Sequence, residues 1–194
     1  MAMPAPLPLV PDTSRRDWTV EERDALPDDG NRYEIVDGEL LVTPAPSWRH
    51  QDAVLALAVL LKPFAERHEL HCLIAPADVT FSPRRVVEPD LFVVPRVDGR
   101  PPSCFEEVGR LVLAVEILSP STARADRHVK RRLYQSEGVA EYWIVDVAAR
   151  FVERWRPGDN EPEILTDSLA WRPRGGAEPL LVDLAPFFRR LYGE

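Results

Sequence analysis

Between residues 111 and 118 the sequence reads LVLAVEIL. Leu111, Val112, Leu113, Ala114, Val115, Ile117 and Leu118 are the side chains of a strand covered on both faces, and Glu116 stands among them. An ionised carboxylate without a partner is strongly disfavoured there, so Glu116 must reach water, pair with a cation or hold a metal ion. A second acid, Asp90, opens the apolar run DLFVV behind Pro89, which stiffens the approach to the strand. Two carboxylates on neighbouring strands can share a divalent cation, and their oxygens suit Mg²⁺ (or Mn²⁺). Asp126, Lys130 and Tyr134 follow at i, i+4 and i+8, one polar stripe of a helix whose neighbouring apolar face is marked by Val129 and Leu133. Only Lys62 and Lys130 are lysines among 24 basic residues. Lys130 lies inside KRR, where a third arginine would have kept the habit, so a compact ammonium acting as point charge or proton donor is hinted at.

Each of these residues has a plainer reading. Asp90 could cap a turn at a sheet edge, and Asp126–Lys130 could be a surface ion pair worth a few tenths of a kcal/mol. Together, two carboxylates and a lysine on consecutive elements describe a metal-dependent phosphodiester-cleaving site. The metal would bind the phosphate and lower the pKa of water, and the lysine would orient that water or stabilise developing charge.

The elements that must position these groups can be read along the chain. The first twelve residues, with Pro4, Pro6, Pro8 and Pro11, read as a flexible proline-rich arm, and residues 13–194 as one domain. Ser14 or Asp17 offers an N-cap for a short helix stopped at Pro27. YEIVDGELLV (33–42) is a hairpin about Asp37-Gly38. Val54, Leu57, Leu61 and Phe64 recur at helical spacing from His50 to about Arg67, with Pro63 expected to kink or shorten the helix. Strands are expected over about 71–81, 90–94 and 111–118. SPST then supplies Ser121 or Thr122 as N-cap for a helix that Gly138 ends. EYWIVDV and FVERWRP read as paired strands, and APFFRRLY as a closing helix. The step from 111 to 147 is a parallel crossover, and the shorter links before it permit antiparallel pairing, which gives a mixed α/β sheet.

Composition narrows the setting. With 194 residues and 45% apolar composition the chain can bury a sizeable core. No export signal is visible and the longest apolar run, Ala53 to Leu61, is too short to span a bilayer, so a cytoplasmic protein without a membrane partner is expected. Cys72 and Cys104 form no CxxC pair, which leaves neither a disulfide framework nor a zinc knuckle. A net charge of −8 argues mildly against a broad non-specific nucleic-acid surface. Locally the sign reverses: Arg124, Arg127, Lys130, Arg131 and Arg132 face only Asp126, and they read equally well as a solvated helix face or a phosphate-facing patch. His68 and His71 form an H-x-x-H without a third ligand nearby and read as structural or exposed. Tyr142 and Trp143 belong to an apolar strand and read as core.

RYEIVDGELLVTPAP, VVEPDLFVV and LAVEILSPSTARADRHVKRRLYQSEGVAEYWIVD resemble, in this order, the Uma family of restriction endonucleases, members of the PD-(D/E)XK nuclease superfamily. The resemblance covers about residues 32–150. It implies a restriction-endonuclease-like αβββαβ core preceded by the hairpin, a Mg²⁺ site on Asp90 and Glu116, and hydrolysis of nucleic acid, DNA in the first instance. Where the superfamily's E-x-K would place lysine at 118 this chain has Leu118, so the role passes to Lys130 on the following helix. Glu34 and His50 match the family's hairpin and first helix and are further candidates for the cleft, as are Asp126 and Tyr134. Taken alone, Glu34 and His50 read more simply as solvent-facing. A non-catalytic binding or regulatory module on the same fold is the alternative function, and a homodimer is a candidate assembly.

Overall fold

Asp37 and Gly38 adopt φ of 53° and 82°, the left-handed pair that a two-residue hairpin turn requires. They join β1 (Arg32–Val36) to β2 (Glu39–Thr43) in the expected place, and a Cβ at position 38 would collide with the backbone of Arg16. The computed structural model describes residues 11–173 and 178–194, so all but the last two residues of the proline-rich arm lie outside the described part. The helix before the hairpin, α1 (Val20–Asp24), is capped not by Ser14 or Asp17 but by Thr19. Its TVEE start forms a capping box, with Thr19 and Glu22 each bonding the other's backbone N–H, whereas Ser14 turns back to Asp12.

From Ser47, whose hydroxyl accepts from the His50 N–H, α2 (Trp48–Arg67) runs through Pro63 without being cut short. Proline removes one backbone donor, and buried Leu61, Phe64 and Ala65 on both sides of it hold the last turns to the core. The stretch expected as one strand over 71–81 is two, β3 (Leu70–Ile74) and β4 (Val79–Ser82), separated at Ala75-Pro76, where the ladder changes sheets. With β5 (Arg85–Val87), which the sequence did not announce, β4 extends the hairpin into a four-stranded sheet of order β2-β1-β5-β4.

The larger sheet carries the expected core. β6 (Leu91–Pro95) and β7 (Leu113–Ile117) pair antiparallel, while β8 (Glu141–Asp146) lies parallel to β7 after a helical crossover. β9 (Phe151–Trp155) and β10 (Glu163–Leu165) complete a six-stranded mixed sheet of order β10-β9-β8-β7-β6-β3. The crossover holds a π-helical turn, Ala125–Lys130, continuous with α3 (Arg131–Ser136), and Gly138 at φ 68° ends it as expected. Its start differs from expectation: the Ser119 hydroxyl, not Ser121 or Thr122, accepts from the backbone N–H of Thr122. A small pair, β11 (Ser168–Trp171) and β12 (Leu180–Asp183), leads into α4 (Leu184–Tyr192).

The two faces of the large sheet differ. Against one pack α2 and α4, closing a core that includes Leu57, Leu61, Leu113, Val115, Ile117 and Phe188. Tyr142 and Ile144 face the other way with Leu133 and Tyr134, and Trp143, like Tyr142, is core as expected. Cys72 is buried and Cys104 exposed, both as free thiols. No helix among the described residues is long and apolar enough to cross a membrane.

Candidate active site

The register of β6 and β7 explains how two distant acids meet. Leu91 lies opposite Val115, so Asp90, one residue outside β6, stands across from Glu116. Opposed residues of an antiparallel pair project from the same face. Asp90 Oδ2 accepts the backbone N–H of Ile117 at 2.8 Å, which fixes its carboxylate against β7. Both acids line one cavity of about 430 Å³, bounded by the Thr43–Ser47 loop, the start of α2, the Ser119–Thr122 turn and Tyr192.

Glu116 is only 2% exposed, and its partner comes from the crossover helix. Lys130 Nζ lies 2.9 Å from Glu116 Oε1, 2.7 Å from Glu34 Oε2 and 3.8 Å from Asp126 Oδ1. The π-helical turn, closed by the Arg131 N–H donating to the Asp126 carbonyl five residues back, directs Asp126 and Lys130 into the protein. The surface ion pair expected from i, i+4 spacing is therefore a buried one: Lys130 is 2% exposed and Asp126 1%. Tyr134 completes the stripe, its hydroxyl donating to Glu116 Oε1 at 3.2 Å.

Glu34 and His50 overturn their solvent-facing readings. Strand alternation sends Tyr33 and Ile35 into a small core with Trp18, Leu40 and Val86, and so sends Arg32 and Glu34 the other way. Glu34 is wholly buried, accepting the Glu88 N–H at 2.8 Å while its second oxygen pairs with Lys130. His50 Nε2 lies 3.0 Å from Asp90 Oδ2. Arg32, a residue that sequence reasoning missed, donates to Asp90 Oδ1 and to the Glu88 carbonyl, both at 3.1 Å. The signal for it was its place two residues before Glu34 on the same strand face. By contrast His68 turns to the Phe64 carbonyl at 2.8 Å and His71 stays outside the site, as expected of a lone H-x-x-H.

Charge and burial set the proton affinities. Burial, reinforced by Asp90, Asp126 and Glu34, pushes the Glu116 carboxyl well above its ordinary range, with Lys130 opposing. Burial also lifts Asp126 to about 6. Burial works to raise Asp90 too, yet the His50 hydrogen bond, Arg32 and Lys130 together hold it at about 2. Lys130 and Arg32 stay charged, because the surrounding carboxylates outweigh the desolvation that disfavours their cations. Asp90 is thus the firmly ionised acid of the pair, and Glu116 the one whose charge depends on a nearby cation.

Residues 20–175 match the family model Uma2, described as "Putative restriction endonuclease". No curated protein matches the chain. Among solved structures it is similar to a crystal structure of a "putative nuclease belonging to DUF820" from Anabaena variabilis ATCC 29413. That likeness has a TM-score of 0.72 and 17% identity, over 90% of this chain and 99% of the other, and it speaks for the fold: the mixed α/β sheet is nuclease-like. With most of its length matched, the chain belongs to the Uma2 family.

Proposed function

We propose that this protein is a divalent-metal-dependent nuclease that hydrolyses phosphodiester bonds of nucleic acid at the Asp90–Glu116 cleft. One observation carries the reading: two buried carboxylates, opposed on adjacent strands, line one cavity, with an ammonium 2.9 Å from the second. The donors fit Mg²⁺ or Mn²⁺, because they are hard oxygens. Glu34, Asp90, Glu116 and Asp126 also exceed Lys130 and Arg32 by two formal charges, which a divalent cation would offset. Among the described residues no group of three or more His, Cys, Asp or Glu side chains is arranged as a ligand cage. Two carboxylates with water and substrate oxygens are a usual complement for Mg²⁺, which keeps several waters.

When bound, the ion would supply Lewis acidity at the phosphate and lower the pKa of a bound water. The protein's own groups do the rest. Arg32 lines the cavity with a guanidinium suited to a phosphate oxygen. His50 donates to Asp90 and fixes that carboxylate's orientation. Lys130, being buried, acts through Glu116, favouring its ionised form where burial alone would protonate it. This positioning role replaces the water-orienting one expected of an E-x-K lysine.

A non-catalytic module is favoured by one feature, that both Asp90 oxygens are already engaged by Arg32, His50 and the Ile117 N–H. Nicking of a supercoiled plasmid and of a single-stranded circle, with Mg²⁺, with Mn²⁺ and with EDTA, separates the two. Metal-dependent cleavage should fall by at least about a hundredfold in Asp90→Asn and in Glu116→Gln. No cleavage with either metal, or equal cleavage by wild type and both variants, overturns the nuclease reading.

A further inference from the structure

Trp48 is 92% exposed, while the other four tryptophans, Trp18, Trp143, Trp155 and Trp171, are all buried. A solitary exposed leucine is ordinary, but tryptophan carries the largest apolar surface of any side chain and is rarely left this bare. Its position is specific. Trp48 is the first residue of α2, between Ser47 and Arg49, both of which line the active-site cavity. The loop that delivers it, Thr43-Pro44-Ala45-Pro46-Ser47, has φ fixed at two prolines and lines the same cavity, so Trp48 is carried on a stiff support between two cavity-lining residues.

Beside it lies a basic aromatic cluster. The Arg49 guanidinium sits 4.1 Å from the centre of the Tyr192 ring and that of Arg150 4.5 Å from it, while the Tyr192 hydroxyl is anchored on the Val147 carbonyl at 3.1 Å. Glu194 pairs with Arg150 at 2.7 Å, but among the described residues Arg49 has no carboxylate partner. Its donors are held in place by the ring and left for an anion. Tyr192, the last residue of α4, falls outside the family-matched residues, whereas Arg49 and Arg150 lie within them.

We infer that Trp48, Arg49 and Tyr192 form a ledge that binds single-stranded nucleic acid, with a base stacked on Trp48 and an adjoining phosphate on Arg49, leading the strand to the cleft. Binding at the ledge stands by itself, and the cleavage that would come after it rests on the nuclease reading. A single strand is the fitting occupant because its unstacked bases offer free faces to the ring next to a guanidinium that can take a phosphate, and a duplex hides its base faces.

The exposed tryptophan is its own reporter. In EDTA, which separates binding from cleavage, dT12, rU12 and a blunt 12-base-pair duplex are titrated into the full chain. Fluorescence anisotropy follows binding, and iodide quenching reports on Trp48. Single strands should shield Trp48 from iodide and the duplex should not; the dT12 and rU12 arms decide which sugar is preferred. Trp48→Ala and Trp48→Leu should each weaken single-strand binding by roughly tenfold or more, with Trp48→Phe restoring most of it. Arg49→Gln should lower the salt slope by about 0.7, the value for one phosphate on a single strand. Equal single-strand binding by wild type and Trp48→Ala overturns the ledge. So does Trp48 shielded before any oligonucleotide is added, in a dimer by light scattering that Trp48→Ala dissolves. Cleavage of the single-stranded circle with Mg²⁺ separates the two readings. Cleavage and binding undiminished in Trp48→Ala remove the ledge and keep the nuclease, whereas Trp48-dependent binding with no wild-type cleavage keeps the ledge and removes the nuclease.

Discussion

The two sides of strand β7 obey opposite rules. Leu113, Val115 and Ile117 enter the apolar core under α2 and α4, where burial is favourable at about 25 cal/mol per Å². Glu116, between Val115 and Ile117, enters a layer where Glu34, Asp126 and Lys130 are nearly as buried as the leucines. Desolvating four charged groups is costly, and attraction to one ammonium offsets that cost only while every partner stays in place. The apolar side thus supplies stability, and the charged cluster, set among the second side's own apolar residues, consumes part of it. The apolar face tolerates losses locally, because a cavity costs what it removes; the charged face does not, because deleting one member leaves the others uncompensated.

Lys130→Met should show this most strongly. It leaves Glu34, Glu116 and Asp126 buried without their cation and should cost about 3–5 kcal/mol at pH 8 by urea denaturation. Part of that loss should return at pH 5, since the stranded carboxyls can then take up protons. Leu113→Ala on the apolar side should cost about 2–5 kcal/mol, equally at both pH values, with cleavage per folded molecule unchanged. A pH-independent loss in Lys130→Met would mean that the ammonium is not what balances these acids.

The same contrast decides how much was legible in the sequence. The apolar face is written in spacing: Val54, Leu57, Leu61 and Phe64 at helical intervals, LVLAVEIL as a covered strand, Asp-Gly as a turn. Asp90, Glu116 and Lys130 could be proposed as a group because each sits oddly in its context. What spacing could not show was depth. An i, i+4 acid–base pair looks the same on a surface as in an interior, and the π-helical turn that carries Asp126 and Lys130 inward has no counterpart in the hydrophobic pattern. Glu34 was misjudged for a related reason: exposed glutamate is common, and only the arrival of Lys130 from 96 residues downstream permits it to be buried. Three residues of an extending sheet carry too little pattern to mark β5, and at α1 the capping box in TVEE competes with the earlier cap candidates Ser14 and Asp17.

A smaller effect comes from pH on the wild-type protein. Asp126 has its folded value raised to about 6 from an ordinary value near 3.9, so the folded state holds its proton more tightly than the unfolded state. Stability should therefore rise as pH falls from about 7 towards 4, by on the order of 2–3 kcal/mol. Asp90 works in the other direction: held at about 2, it contributes stability above pH 4 that is lost as pH falls towards 2. Denaturation midpoints should thus peak near pH 4–5, and Asp126→Asn should make the limb between 7 and 4 shallower, leaving the part that Glu116, raised in the same direction, contributes. A monotonic rise in stability from pH 4 to 8 would contradict the charge balance described for the cleft.

Lys130→Arg is the mildest change and the sharpest probe of the contrast, because it keeps the charge and alters only shape. On a surface the exchange would be nearly neutral, at less than about 0.5 kcal/mol. Here the ammonium sits 2.7 Å from Glu34 and 2.9 Å from Glu116, in a space that is 2% exposed. A planar guanidinium is larger and cannot meet the same oxygens without moving them, so overpacking should cost about 1–3 kcal/mol. The displaced Glu116 would take metal-dependent cleavage down with it, roughly ten- to a thousandfold, and the metal concentration needed for half-maximal rate should rise, which a purely structural loss would not bring about. If stability drops while rate and metal requirement hold, Lys130 serves only the packing of the buried charges, and Glu116 needs no lysine to keep its place in the site.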